Sequence, residues 1–202
     1  MKTALLAAAA CAVLACATTA GAGELIVGAY KHDVTFIGEA VGLGAAGRED
    51  GVDLHVGYRT DRLENLRWLG KPQVHAFVSL NSENTSNFVA AGFSWPIDFG
   101  DKGGFYFRPG MGLAYTDGET GLPPANAPGI SDEERARRTK LYYTRIDFGS
   151  KVLFQPELNL GYRFNDKWAA ELSYVHLSNG QIFHQGKNQG LDDLGVRLLY
   201  AF

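Results

Sequence analysis

A histidine, a serine and a carboxylate lie close together near the end of this 202-residue chain. His176 and Ser178 are two positions apart, and Asp192 follows after a polar loop. These are the side chains of a hydrolytic triad, in which serine attacks a carbonyl, histidine transfers the proton and the carboxylate stabilises the imidazolium. Amide groups suited to stabilising an oxyanion follow at Asn179 and, as a second candidate, at Asn188. The residue types therefore predict ester hydrolysis, provided that the fold brings the three side chains together.

Strand parity predicts which faces these residues occupy. Alternate residues of a strand share a face, so His176 and Ser178 belong to the apolar row of their strand. On the final strand, Asp192 belongs to the apolar row and Asp193 to the opposite row. We therefore expect Asp192 to approach His176 across the last hairpin. Asp193 is expected to point the other way and to pair with an arginine, for which Arg197 in its own row is the candidate.

The chain shows the period-two alternation of β-strands along most of its length. The alternating segments begin near Glu24, Val52, Val74, Val89, Phe105, Val152, Trp168 and Leu194. Beyond the N-terminal segment no stretch has a helical period, and only a helical turn is expected in the loop 117–138. Long loops alternate with short turns, an arrangement typical of an up-and-down barrel. We therefore predict an all-β fold, an eight-stranded antiparallel up-and-down barrel.

The direction in which the apolar rows face separates a membrane barrel from a soluble, lipocalin-like barrel. Glycines are expected where side chains crowd the interior of a narrow barrel. The polar rows contain Gly57, Gly92, Gly110, Gly112, Gly161 and Gly195. Aromatic residues cluster near strand ends on the apolar rows, and the chain ends on Phe202, both typical of outer-membrane barrels. The pattern thus favours a transmembrane β-barrel in the bacterial outer membrane.

The polar rows of such a barrel would fill its interior with charged side chains. The charged residues of these rows include Arg59, Arg108, Glu157, Arg163, Glu171 and Arg197. An unpaired buried charge is costly, so we interpret this set as a structural network of paired groups. An eight-stranded barrel is filled by side chains, and we expect no open pore.

The N-terminus has the pattern of a secretory signal peptide. Lys2 precedes an apolar run over 4–17, which is followed by small residues. The run is shorter than the roughly 20 residues that a membrane-spanning helix needs. We therefore expect a signal peptide over 1–22 and a single barrel domain over 23–202.

Composition argues against several other classes of site. Cys11 and Cys16 both lie in the predicted signal peptide, so the mature chain offers no disulfide or thiolate site. The formal net charge of −3 gives no indication of a nucleic-acid partner. His32, His55 and His75 are scattered without metal-ligand spacing. The sequence therefore predicts neither a metal nor another cofactor.

Three motifs resemble the PagL family of lipid A 3-O-deacylases. They are H-L-S-N at 176–179, N-Q-G-L-D at 188–192 and F-Q-P-E-L-N-L-G-Y-R-F at 154–164. The resemblance implies an outer-membrane esterase that removes the 3-hydroxyacyl chain from position 3 of lipid A without a metal. It implies lipid A of lipopolysaccharide as the substrate. With both termini of the barrel in the periplasm, the end with the long loops is extracellular, so we expect the active site to face the outer leaflet.

The chain departs from the family pattern in two ways. Asp192 stands where the family usually has glutamate, and the loop 179–188 is longer. A shorter carboxylate reaches less far, so the loop and strand must compensate or His176 is held less firmly. His184, within the longer loop, is an alternative partner for His176, although we interpret it as a solvated loop residue.

Two functions of other kinds stay open on the sequence alone. A non-catalytic barrel that serves in adhesion or stabilises the membrane would have the same strands and long loops. A phospholipase would use the same nucleophile on a glycerophospholipid. A homodimer is also left open.

Overall fold

The computed structural model describes residues 23–42, 46–99 and 104–202. The predicted signal peptide lies outside these residues. The strands are β1 (Gly23–Lys31), β2 (Val52–Thr60), β3 (Gln73–Asn81), β4 (Phe88–Ser94), β5 (Ile97–Asp98), β6 (Phe105–Thr116), β7 (Val152–Arg163), β8 (Trp168–Leu177) and β9 (Leu191–Ala201). The helices are Phe36–Val41, the 3₁₀-helix Glu64–Leu69 and Asp132–Thr144.

Eight of these strands close into an antiparallel barrel, which confirms the predicted fold. The strands are hydrogen-bonded in the order β4, β3, β2, β1, β9, β8, β7, β6, in which the first strand pairs with the last, and the pairing of β4 with β6 closes the ring. The strand predicted to begin near Val89 is interrupted at Trp95 and Pro96, and its continuation, β5, pairs with β6 over only two residues. Proline has no N–H to donate to a ladder, which explains the break.

The two ends of the barrel differ. The loop end carries the connections that follow β1, β3, β6 and β8, and the turn end carries those that follow β2, β5 and β7. Asp192 and Ser178 both lie at the loop end, next to the ends of β9 and β8.

The apolar rows face outward, as the parity argument predicted. Leu113, Leu158 and Leu172 on three different strands are 48%, 49% and 52% exposed. The glycines of the polar rows face a crowded interior: a Cβ at Gly161 would overlap the ring of Tyr106, and one at Gly195 would overlap the backbone of Ala29. An apolar exterior around a packed polar interior is the pattern of a barrel surrounded by lipid.

A balanced network of charges fills the interior toward the turn end. It consists of three carboxylates and three guanidinium groups, Glu24, Glu157, Glu171, Arg59, Arg108 and Arg197. Arg197 donates to Glu171 at 2.5 Å, and Arg108 donates to the same carboxylate at 2.6 Å. Pairing of this kind offsets the cost of removing the charges from water. The expectation that Arg197 pairs with Asp193 was wrong, because Glu157 and Glu171 occupy its guanidinium group.

An apolar cluster fills the interior at the loop end. Ile146 and Phe148, from the connection between β6 and β7, pack among inward side chains of the strands and are fully buried. Leu177 and Leu191 belong to the same cluster. This packing fixes the ends of β8 and β9, where the candidate catalytic residues lie.

The helix Asp132–Thr144 is much longer than the single turn expected in this loop. Ser131 caps it by accepting from the N–H of Glu134, and Glu134 pairs with Arg137 and Arg138. Hydrogen bonds from these two arginines lower the pKa of Glu134 to about 2. The helix buries no residue, so it has no apolar stripe that a search for helical periodicity could find.

No helix among the described residues is long and apolar enough to cross a membrane.

Candidate active site

His176 and Asp192 face each other directly across β8 and β9. They are partners in the strand register, and Nδ1 of His176 lies 2.5 Å from Oδ1 of Asp192. Both side chains are almost fully buried although they belong to the outer rows. The carboxylate therefore reaches the imidazole even though aspartate is one methylene shorter than the glutamate of the family pattern. Charge-assisted bonds of this kind are stronger than neutral ones and fix the ring orientation.

This bond assigns the two nitrogens of His176 different roles. A hydrogen bond from Nδ1–H to the carboxylate leaves Nε2 as the basic nitrogen. Nε2 makes no hydrogen bond within the part of the chain that the structure describes. His184, the alternative partner considered from the sequence, is exposed in its loop, and Asp192 already occupies Nδ1.

Ser178 lies one residue beyond the end of β8 and is held by Phe154 on β7. The N–H of Phe154 donates to the carbonyl of Ser178 at 2.7 Å, and the N–H of Ser178 donates back at 3.2 Å. Leu177 belongs to the inner apolar cluster, so the residues on either side of it, His176 and Ser178, leave the chain on the outer side. Ser178 is partly exposed, and its hydroxyl makes no hydrogen bond to another described residue, His176 included. The structure thus brings His176 and Asp192 into contact and leaves the hydroxyl of Ser178 without a hydrogen bond to either of them.

The amide of Asn179 holds the loop together. Its Nδ2 donates at 2.7 Å to the carbonyls of Phe148 and of Lys187, which uses both hydrogens. Its Oδ1 accepts from the N–H of Gln181, and its own N–H donates to Oδ1 of Asn188. With every group engaged and the side chain fully buried, Asn179 has no donor left for an oxyanion.

Asn188 has the free donor that Asn179 lacks. Its Oδ1 accepts from Asn179, which orients the amide, while its NH₂ group donates to no other described residue. The side chain is half-buried. Asn188 is therefore the stronger of the two oxyanion candidates.

Tyr174 is a residue of this site that the sequence analysis treated only as part of an apolar row. It lies next to Leu194 in the register of the last hairpin, and the carboxylate of Asp192 is close to its hydroxyl. That hydroxyl and Oδ2 of Asp192 are both buried, and neither has a hydrogen-bond partner among the described residues. The signal was present in the sequence, because Tyr174 precedes His176 by two positions and is diagonal to Asp192 in the hairpin.

The outer wall beside Ser178 is apolar and partly roofed by the longer loop. The rings of Phe154 and Phe183 are 4.8 Å apart, so the loop folds back onto β7 next to Ser178. Met111 and Leu113 on β6 continue the apolar surface and are about half exposed. A hydrocarbon chain lying on this wall would remove apolar area from water.

A cavity of about 470 Å³ lies among the loops at the same end of the barrel. Arg48 and Lys187 supply its positive charge, and Asp147 also lines it. Arg48 stacks over Tyr142 at 4.4 Å and donates to Gln189 at 3.1 Å. Lys187 directly precedes Asn188, so this cavity adjoins the candidate oxyanion donor.

Asp193 faces the interior, as its parity predicted, and joins residues that the sequence analysis left unassigned. Asp193, His32 and Asp53 are buried, and one potential ligand atom of each lies within 4.8 Å of those of the other two. His55 lies beside them, whereas His75 bonds to Gln155 elsewhere in the barrel. No local spacing reveals this cluster, because its members come from different strands.

A family model described as Lipid A 3-O-deacylase (PagL) matches residues 50–201. A search of curated protein sequences gave no match. Among solved structures, one described as the outer membrane enzyme PagL covers 89% of this chain and 98% of its own, with 12% identity and a TM-score of 0.51. Neisserial surface protein A (NspA) covers 91% and 98%, with 12% identity and a TM-score of 0.49. At these identities the structural likeness shows the fold alone.

Proposed function

The chain belongs to the lipid A 3-O-deacylase (PagL) family, and on this premise we propose that it removes the ester-linked 3-hydroxyacyl chain from position 3 of lipid A as a serine esterase. The hydrogen bond between His176 and Asp192 is the observation that carries this proposal. It supports the role of His176 as the base, because Nε2 makes no hydrogen bond to a described residue and the partly exposed Ser178 follows two residues later.

Each side chain has a defined task in the reaction. Oγ of Ser178 attacks the ester carbonyl while Nε2 of His176 takes its proton. Asp192 stabilises the imidazolium through Nδ1–H, and His176 then returns the proton to the departing sugar hydroxyl. In the second half, His176 deprotonates a water that attacks the acyl-serine, which releases a 3-hydroxy fatty acid and restores Ser178.

The attack of Ser178 creates a negative charge on the carbonyl oxygen, and a hydrogen-bond donor that is already in position stabilises it. The free NH₂ of Asn188 is suited to this task, because its own carbonyl is held by the N–H of Asn179. Asn179 then acts as a positioning residue that fixes the loop rather than as a donor to the oxyanion.

The surroundings of the triad fit an amphipathic substrate. The apolar wall with Leu113, Met111 and Phe154 suits acyl chains within the membrane. The cavity with Arg48 and Lys187 suits an anionic headgroup above it. Since both lie at the loop end, we place that end of the barrel toward the outer leaflet of the outer membrane, where lipid A resides.

The test is the substitution Ser178→Ala, expressed in cells whose lipid A is then analysed by mass spectrometry. The wild-type chain should remove one 3-hydroxyacyl chain, and the variant should remove none while its heat-modifiable gel mobility stays that of a folded barrel. Continued trimming by Ser178→Ala would rule out this serine as the nucleophile.

The same extracts separate the two other functions. Hydrolysis of glycerophospholipid with intact lipid A would indicate a phospholipase. A folded wild-type barrel that changes neither lipid would indicate a non-catalytic protein.

A further inference from the structure

We propose that the interior of the barrel holds a divalent transition-metal ion, for which Zn²⁺ is the best fit, between His32, Asp53, His55 and Asp193. These four residues, with Glu49 behind His32, are the inner cluster. His32 directly follows β1, Glu49 lies in the connection to β2, and the other three lie on β2 and β9; all five are at most 3% exposed. The proposal does not depend on the deacylase activity.

Three of the proposed ligands, His32, Asp53 and Asp193, have ligand atoms that all lie within 4.8 Å of one another, and His55 approaches this group from the side of Asp193. Nδ1 of His32 lies 2.9 Å from Oδ2 of Asp53 and 3.4 Å from Oδ1 of Asp193. Nε2 of His55 lies 3.7 Å from Oδ2 of Asp193. Ligand atoms bound at the usual 2.0–2.1 Å around a tetrahedral Zn²⁺ are about 3.3 Å from one another. Modest side-chain movement would thus complete the coordination.

Several polar atoms of the inner cluster lack other partners. Both carboxylate oxygens of Asp193 and both ring nitrogens of His55 are buried without a hydrogen bond to any described residue. The ring of His55 is nevertheless fixed, because it stacks on Tyr30 at 3.8 Å and on Phe77 at 5.0 Å. Buried polar groups are normally satisfied, and a cation bound between the fixed ring of His55 and the carboxylate of Asp193 would satisfy both.

The remaining contacts match the outer shell of a metal site. Nε2 of His32 lies 3.2 Å from Glu49, the carboxylate–histidine arrangement that orients metal-bound imidazoles. Asp53 accepts from Ser79 at 3.1 Å and from Asn81 at 2.8 Å. Of the four proposed ligands, His32 and Asp53 are therefore already held in place by neighbouring side chains.

Charge balance favours a cation at this position. The inner cluster contains three buried carboxylates, Glu49, Asp53 and Asp193, and no lysine or arginine among the described residues forms an ion pair with them. A protonated His32 would offset only one of the three negative charges. A divalent ion with neutral histidines offsets two, and nitrogen with carboxylate oxygen is a donor set that Zn²⁺ accepts.

The experiment measures metal content in tag-free, full-length protein folded in detergent. The protein is stripped with a chelator, dialysed against Zn²⁺ and analysed by mass spectrometry for the metal. Wild type and the control His75→Gln, which changes a buried histidine outside the inner cluster, should each retain about one equivalent. Asp193→Asn and His32→Gln should retain almost none. Wild type that retains no zinc, or Asp193→Asn that retains as much as wild type, would overturn the proposal.

A spectroscopic measurement keeps the test decisive if the variants do not fold. Co²⁺ added to stripped wild type should give the visible absorption of a tetrahedral site, and Zn²⁺ should displace it. Failure to see these bands in folded wild type would likewise count against the site. Neither the zinc content nor the Co²⁺ spectrum depends on lipid A. A negative result in these measurements therefore leaves the deacylase proposal unchanged, and a chain without deacylase activity leaves the metal proposal unchanged.

Discussion

Asp192 and Asp193 are adjacent in the chain but belong to two chemically different regions. Asp192 lies on the outer face and bonds to one histidine, whose other nitrogen makes no hydrogen bond to the residues that the structure describes. Asp193 lies on the inner face, where His32 and His55 approach it and where neither of its carboxylate oxygens has a hydrogen-bond partner among the described residues. The outer carboxylate is thus arranged to act through a single proton carrier, and the inner one to share charge among several buried groups.

The comparison teaches that burial alone does not identify a catalytic carboxylate. Both aspartates are at most 1% exposed, yet they differ in face and partners: Asp192 bonds to His176 on the outer side, whereas Asp193 lies beside His32 and His55 in the interior. A period of two in a strand is sufficient to separate such neighbours by a full sheet thickness. Substitutions on the outer face should therefore change the rate, and those on the inner face should change stability or ion binding.

The largest effect is expected for His176→Gln. Loss of the proton carrier in serine hydrolases reduces turnover by roughly 10⁴-fold or more, and we expect a loss of this order in lipid A deacylation. His184→Gln is the matched control, because His184 is exposed in the neighbouring loop. Timed mass spectrometry of released fatty acid measures both variants. Similar losses in the two would place the essential base in the loop.

A smaller effect is expected for Asn188→Ala. Removing one oxyanion donor costs about 10²-fold in a fully enclosed site, and the half-buried position of Asn188 should make its loss somewhat smaller. The reduction should appear in kcat with KM little changed, measured on a short-chain ester in detergent. Unchanged kcat would remove Asn188 from the oxyanion site.

Tyr174→Phe should have the smallest effect on rate. A neutral hydrogen bond contributes about 1 kcal/mol, so loss of a bond that the hydroxyl makes to Asp192 as the imidazolium forms should slow turnover about 5-fold. The melting temperature should change little, because the hydroxyl has no other partner among the described residues. A rate equal to that of wild type would show that Tyr174 serves only as a wall residue.

The sequence was sufficient to predict the barrel and the approach of Asp192 to His176 on its outer face. Alternation is a local signal, so it assigned His176 and Asp192 to outer rows and Asp193 to the inner row. Neighbouring strands of an up-and-down barrel are consecutive in the chain, which is why the last hairpin could also be predicted. The alternation of faces is a weaker guide where a strand ends. Ser178, predicted as part of the strand, lies just beyond the end of β8.

The inner partners and the loop contacts could not be predicted in the same way. His32 and Asp193 come together because the first and last strands pair when the barrel closes. The two residues are far apart in the sequence, so no local motif indicates their contact. The helix Asp132–Thr144 is set by its cap and its ion pairs rather than by an apolar stripe. Asn179 was expected to serve the oxyanion, but its hydrogens are bonded to carbonyls of two loops that sequence reasoning does not bring together.

The most direct test of the central claim compares Asp192→Asn with Asp193→Asn in one lipid A deacylation assay. We expect Asp192→Asn to lose about 10²-fold or more in rate with an unchanged melting temperature, since triad carboxylates contribute up to about 10⁴-fold and this site borders water. Asp193→Asn should keep most of its activity, and its melting temperature should fall further below that of wild type in Zn²⁺ than in chelator. An inactive Asp193→Asn beside a normal Asp192→Asn would contradict both the assignment of faces and the proposed mechanism.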